Sequence, residues 1–407
     1  MENSSVKATN YSIERSRELL RRSDEVLVRG CQGHKRNHDM LAMGYPVFTR
    51  GASGARFRDV DGNEYLDYLL GFGPILLGYN DPAVNAAVRR QIEEGTIYST
   101  AHPKEVEVAE MLLELNPWAG MVAFVIGGSA ATSAAVRLAR AYTGREVVIR
   151  SGYHGWHDWT QPGGVGVPVA VSSFTVAAPY GDLDALEGLL KKYDRKVACV
   201  IMEAVQGAGP PEGFLAGCVD LCHRYGALCV FDEIKVGFRV AFGGGGEYYG
   251  VQPDLATFGK ACCNGYPASF VLGRKDILAT DNCQRAWLAA TFHCDLLSLV
   301  AIETVIAEMK RRDGIAYLWK IGSRLIEGIN AACRAGGLGY SLHGLGPMPC
   351  PKMADGQKDR CIAMLQGCLR RGFYLHPSHP MFLSLAHSEQ DIEDTIAAVA
   401  ESIAELK

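Results

Sequence analysis

Between residues 121 and 272 the chain alternates short apolar runs with amphipathic stretches, and this alternation limits the folds open to it. The runs at 121–126, 146–150, 197–202, 227–231, 255–258 and 269–272 are rich in Val, Ile, Leu and Phe, as strands buried on both faces should be. Helices fit at 105–115, 129–143, 183–193 and 215–225. Strand–helix repetition of this kind calls for a mostly parallel sheet wrapped by helices, an α/β fold. In such sheets chemistry gathers at the carboxyl ends of the strands.

Two of those ends carry reactive side chains. The run 255–258 is closed by Gly259 and followed by Lys260. A lysine there can form an imine with an aldehyde, provided burial and nearby positive charge keep its amine nucleophilic. Taken alone, Lys260 fits a surface loop equally well. The run 227–231, however, ends in Asp232-Glu233-Ile234, and an aspartate at the tip of a buried strand can pair with a pyridinium nitrogen and keep it protonated. A third strand end, Ile126-Gly127-Gly128-Ser129, turns into a helix, whose free N–H groups and dipole can hold a phosphate. Plain helix caps have the same composition.

The rest of the chain frames this unit. A surface helix fits 11–28, and 46–68 reads as strand and turn, with Gly51, Gly54 and Asp61-Gly62 as turn signals. Asp81-Pro82 opens a helix to about Glu94, and 296–310 reads as a long helix leaving the sheet domain. The expected division is 1–58 as an N-terminal segment joining the small domain, 59–305 as the large domain and 306–407 as a smaller α+β domain. A net charge of -4 leaves no basic footprint for nucleic acid, and no apolar run is long enough to span a bilayer. The polar segment 1–10 and thirteen scattered cysteines fit a cytoplasmic protein with reduced thiols. Cys218, Cys222 and His223 share one helix without a second ligand pair, so no metal site is expected. The glycines at 243–246 lack the Lys-Ser/Thr of a P-loop.

Six ordered motifs carry a family resemblance: D-V-D-G-N-E-Y-L-D-Y (59–68), R-L-A-R-A-Y-T-G-R (137–145), G-Y-H-G (152–155), F-D-E-I-K-V-G-F-R (231–239), P-D-L-A-T-F-G-K (253–260) and S-L-A-H-S-E-Q-D-I (384–392). Together they resemble the class III pyridoxal-phosphate aminotransferases, and within them the glutamate-1-semialdehyde aminomutase group. The resemblance implies fold type I, with a large domain built on a sheet of the seven-stranded type, and pyridoxal 5'-phosphate as cofactor. It maps Lys260 onto the cofactor-bearing lysine and Asp232 onto the pyridine partner. Gly128 and Ser129 fall on the phosphate-binding pair, although Ile126 and Ala130 replace the usual Asn and Glu. Tyr153 falls on the residue stacked against the pyridine ring, Ile234 on its opposite face, and Glu203 on a carboxylate that supports the aspartate region. Thr291 matches the threonine that reaches the phosphate of the partner subunit, which implies a homodimer with a shared active site.

Departures from the pattern bear on substrate and reaction. His293-Cys294 replace a small Ser-Gly pair, and both can transfer protons; they serve equally as packing residues at an interface. Lys235 stands where relatives have Gln or Met, either facing solvent or near the cofactor's phenolic edge. A substrate carboxylate calls for a positioned arginine, yet after Arg371 the chain has no Arg and no Lys before Lys407. Arg36 lies about one residue from the carboxylate-binding position of the aminomutases. With Asp39, His34, His38, His157, Asp158 and Asp295 as candidate liners, the expected substrate is a polyhydroxylated or cationic small-molecule amine, such as an aminoglycoside-type amino sugar. The expected activity is an aminotransferase. The alternatives are an epimerase or aminomutase on the same substrates, using His293, Cys294 or Tyr153 as a second acid, and a non-catalytic regulatory domain.

Overall fold

The computed structural model describes residues 11–30 and 37–406. The chain divides into two compact units, one made of 1–81 with 316–407 and the other of 82–315. Both limits differ from those expected. The hairpin strands β1 (Thr49–Ser53), β2 (Arg56–Asp59) and β3 (Glu64–Asp67) pair with one another, so 59–81 stays with the smaller unit rather than opening the larger one. The helix Leu296–Arg311 belongs to the larger unit, and the chain passes to the smaller one only in the next helix, Gly314–Ala335.

The larger unit is built on one sheet. Its strands are β4 (Met121–Val125), β5 (Val147–Ser151), β6 (Thr175–Ala177), β7 (Val197–Glu203), β8 (Leu228–Asp232), β9 (Leu255–Gly259) and β10 (Ser269–Gly273). They lie in the order β4-β10-β9-β8-β7-β5-β6, seven strands in all. Neighbours from β6 to β9 are parallel, and only β10 runs antiparallel to its neighbours β9 and β4. The expected mostly parallel α/β sheet is therefore observed. Strand β6, three residues at the sheet edge, was not anticipated, because so short a run has no pattern to read.

Helices form where apolar residues recur at helical spacing. Gly128–Thr143 buries Ala131, Ala134, Ala135, Leu138 and Ala139, a face of small side chains that brings the helix close to Val148, Ile201, Val230 and Val271 of the sheet. That close approach fixes where the first turn of the helix lies relative to the strand ends. The helix Pro103–Leu115 begins at a capping box, with His102 accepting from the Lys104 N–H and Glu105 closing back onto the His102 N–H.

The smaller unit has its own core. Strands β1, β2, β3 and β13 (Phe373–Tyr374) form one sheet, and β11 (Tyr340–His343) pairs with β12 (Cys350–Met353) in another. Tyr45, Phe57, Tyr65 and Tyr374 pack edge to face, the Tyr45 and Tyr374 ring centres 5.4 Å apart, and the Tyr45 hydroxyl donates to the Leu375 carbonyl. Among the described residues no helix is long and apolar enough to cross a membrane.

Candidate active site

The parallel register of the sheet gathers the reactive groups. Glu203 lies opposite Asp232 across β7 and β8, and Asp232 opposite Thr257 across β8 and β9, so the three sit in one row at the strand ends. Lys260 follows three residues after Thr257, with a left-handed backbone (φ 49°) that turns it out of the strand direction. Gly259 permits this turn sterically: a Cβ there would lie 2.5 Å from Ser269 Oγ and 3.1 Å from Ile234 Cδ1.

Asp232 is held on both carboxylate oxygens. Oδ2 meets His154 Nδ1 at 2.7 Å, and Oδ1 accepts from the Ile234 N–H at 3.1 Å and the Thr257 hydroxyl at 3.3 Å. The other ring nitrogen of His154 faces the Ser151 carbonyl at 3.1 Å, and its ring stacks on Trp159. His154 was missed in the sequence, although it is the H of G-Y-H-G: the motif drew attention to its tyrosine, and the contact with Asp232 spans 78 positions.

The segment 152–156 packs directly on the helix start. Ser129 Oγ accepts from the Trp156 N–H at 3.2 Å, and Gly155 (φ 108°) approaches so closely that a Cβ would lie 2.3 Å from that oxygen. Gly127 offers no side-chain cap, and a Cβ on Gly128 would lie 3.1 Å from Ile234 Cγ2. The first turn of this helix thus presents backbone N–H groups beside the tip of β8. Tyr153, between the two glycines, is 55% exposed.

Charge is arranged around Lys260. Burial pushes its amine down to about 8; the Lys235 cation adds to this, Asp232 and Glu203 oppose it, and Arg239 contributes in the same sense as Lys235. Lys235 faces Glu203 rather than open solvent, Nζ to Oε1 at 3.0 Å. Arg150 donates to the Gly152 carbonyl at 2.8 Å.

Glu233, beside Asp232, points elsewhere. Its carboxylate accepts from the Gly245 and Gly246 N–H groups at 2.9 and 2.8 Å, and a Cβ on Gly244 would lie 2.2 Å from Oε2. The glycines at 243–246 thus house a carboxylate of the chain's own. Burial raises Glu233 to about 7. Because the folded value lies above the unfolded one, its contribution is fully present below about pH 4 and is lost as pH rises through about 7. Melting temperature of the native protein is therefore expected to fall between pH 5 and 8 relative to Glu233→Gln, by the equivalent of roughly 3 kcal/mol at most. Parallel melting curves across that range would count against a raised Glu233.

Other expected site residues fall into different surroundings. Thr291 and Cys294 line a small cavity with Tyr98, His102 and Glu105. There burial and Glu105 push the Cys294 thiol up to about 12. His293 is half-buried next to them. Asp295 caps the helix Leu296–Arg311, accepting from the Ser298 N–H at 2.9 Å. His157 Nδ1 is bonded to Ser133, and Asp158 opens a short turn. His38 pairs with Asp24, and Asp39 is exposed on the helix Asn37–Ala42. His34 and Arg36 lie outside the described residues. Cys218 and Cys222 are buried within their helix, while His223 pairs with Asp254.

Comparison with known proteins decides the family. The chain matches the family described as Aminotransferase class-III over residues 38–161 and 167–404. It is a class III aminotransferase family member. It is 33% identical to a glutamate-1-semialdehyde 2,1-aminomutase of Methanothermobacter thermautotrophicus, covering 97% of this chain and 100% of that one. It is 30% identical to a 3-aminobutyryl-CoA aminotransferase of Cloacimonas acidaminovorans, over 98% and 99% of the two chains. Among solved structures, the pyridoxal-phosphate internal aldimine form of FumI from Sphingopyxis sp. MTA144 superposes with a TM-score of 0.91 at 30% identity, over 97% of this chain and 96% of that one. The chain is thus a pyridoxal-phosphate-dependent enzyme of fold type I, an aminotransferase or isomerase.

The residues present fit that cofactor. A strand-end carboxylate suits a protonated pyridine nitrogen, the glycine-lined first turn of Gly128–Thr143 suits a phosphate, and a lysine with a depressed amine suits an aldehyde carbon.

Proposed function

We propose that the class III enzyme is an aminotransferase acting on a polyhydroxylated amine of the amino-sugar type, one without a carboxylate beside its amine. The observation that carries this reading is the engagement of the cations. Lys235 is paired with Glu203, Arg150 with a backbone carbonyl, and Arg371 of the smaller unit with Glu401 and Glu405. A carboxylate anchor needs a guanidinium fork with its donors available: Lys235 and Arg371 are engaged by carboxylates, and Arg150 gives Nη1 to the Gly152 carbonyl while its buried Nε has no partner among the described residues.

Bound pyridoxal phosphate supplies an electron sink for the amine-bearing carbon. The chain's own groups do the rest in this reading. Gly128 and Ser129 would hold the phosphate at the helix start, Tyr153 and Ile234 would flank the ring, and Asp232, fixed by His154 and the Ile234 N–H, would keep the pyridine nitrogen protonated. Lys260, with its depressed amine, would act as the base that takes the proton from the amine-bearing carbon and holds it for return. Glu203, in register with Asp232 across β7 and β8, would support the aspartate region. A second, carbonyl substrate that accepts the amino group would then restore the starting state.

An isomerase needs a second acid on the opposite face of the carbon. Cys294 is poorly suited, since a thiol pushed up to about 12 and bonded to Glu105 gives up its proton reluctantly at neutral pH. His293 remains the stronger residue for that second reading. Thr291 belongs, in the same proposal, to the phosphate site of a second subunit in a homodimer. Free thiols such as Cys199, Cys229 and Cys262 fit a cytoplasmic setting.

The test is proton NMR of the cofactor-loaded enzyme with a panel of amino sugars in deuterated water. At most one enzyme equivalent of carbonyl product, with turnover starting only when an amino acceptor is added, is the expected result. Catalytic build-up of an epimer or a shifted amine without any acceptor would establish the isomerase instead. Tight binding of glutamate semialdehyde and none of an amino sugar would overturn the substrate class.

A further inference from the structure

We propose that the Lys235–Glu203 ion pair is an electrostatic lever that sets the proton affinity of Lys260, and thereby the pH range in which the enzyme works. The proposal rests on Lys260 being the amine that bears the cofactor. Three observations carry it.

The pair is built into the row of strand ends rather than lying on the surface. Glu203 closes β7 in register with Asp232, and Lys235 follows Asp232 by three positions, reaching back over the strand end to Glu203 at 3.0 Å. The two side chains are only 16% and 15% exposed. An ion pair so enclosed loses much of its attraction to desolvation and is a weak source of stability, so its place here calls for another reason.

Space is also reserved for it. Gly152, with φ 106°, turns the chain beside Glu203, where a Cβ would lie 3.0 Å from Oε2 and 2.2 Å from Gln206 Nε2. Arg150 holds that turn through the Gly152 carbonyl. A side chain at 152 would press first on the Gln206 amide and then on the carboxylate, so the turn after β5 leaves room for both.

The charged groups that act most on Lys260 are, finally, opposed in sign. Lys235 and Arg239 are the cations, and Asp232 and Glu203 the anions. Asp232 is committed to His154 and the backbone, which leaves the Lys235–Glu203 pair as the adjustable element. With both partners present, Lys235 lowers the proton affinity of Lys260 and Glu203 partly opposes it. Removing one exposes the field of the other, and the direction depends on which is removed.

The experiment follows from that sign. Absorbance of the bound cofactor is titrated against pH in the full-length holoenzyme, for the native protein, Lys235→Met and Glu203→Gln. In parallel, the side-chain NMR signal of Lys260 is titrated in cofactor-free full-length protein carrying 13C-labelled lysine, assigned by its loss in Lys260→Ala. Loss of the cation in Lys235→Met is expected to raise both midpoints by on the order of one pH unit, and loss of the anion in Glu203→Gln to lower them by a similar amount. A merely structural pair would behave differently: either variant would loosen the site, admit water and move both midpoints upward together. Midpoints that shift in the same direction, or coincide with the native one, overturn the lever. If Lys260→Ala keeps the native titrating band, the assignment of Lys260 fails and the lever with it; a lost band with same-sign midpoints sinks the lever alone.

Discussion

Lys260→Ala is expected to lower amine transfer by about 10⁴-fold or more, because in the proposed mechanism one side chain both holds the cofactor and moves the proton. Borohydride reduction followed by peptide mass analysis should place the cofactor mass on the 253–267 segment in the native enzyme and nowhere in the variant. Lys260→Arg is expected to be as inactive as the alanine form. A guanidinium keeps the positive charge but stays protonated throughout the accessible pH range, so it can neither attack an aldehyde nor accept a proton. The two variants together separate charge from nucleophilicity. The backbone there is left-handed, which costs a non-glycine residue about 1 kcal/mol whichever side chain is present, so folding is expected to be unchanged within that amount. A rate within tenfold of native in either variant would remove Lys260 from the chemistry.

Asp232→Asn is the second large effect, expected to reduce kcat by about 10³-fold. An amide can still accept from the Ile234 N–H and sit between β7 and β9, so the packing of the strand ends is preserved. It carries no negative charge to hold a proton on the pyridine nitrogen, and its NH2 group competes with His154 for the role of donor. Stopped-flow measurement of the half-reaction with amine alone isolates this step from the second substrate. The expected signature is a slow half-reaction with a melting temperature close to native; a native half-reaction rate would assign the charge on Asp232 a purely structural part.

Much of the larger unit was legible because its central strands β7 to β10 are buried on both faces. Such runs must be apolar throughout, and the six anticipated ones agree with the observed strands to within a residue or two at each end. The same rule is silent about β6, which is too short to show a pattern, and about the limit at Asp81 and Pro82, which is set by pairing among β1, β2 and β3 rather than by any local signal. At the site, Asp232 and Lys260 could be read because each terminates an apolar run. His154 could not: it reaches Asp232 at the end of β8 from a loop 78 positions away, as Cys294 meets Glu105 of the helix Pro103–Leu115 from far along the chain. The glycines at 243–246 could be set aside as a P-loop, but their actual occupant, Glu233, becomes visible only once the backbone N–H groups point at it.

The glycines that flank Tyr153 have a practical consequence for altering what the enzyme accepts. Gly152 and Gly155 both adopt backbone conformations open mainly to glycine, and both press against neighbours, Gln206 and Ser129, that leave no room for a methyl group. They behave as fixed pivots. Between and beyond them, Tyr153 and Trp156 project outward, 55% and 72% exposed. A mutant library aimed at new amines should therefore hold 152 and 155 constant, keep the ring-flanking Tyr153, and randomise 156, whose bond to Ser129 is made by its backbone N–H.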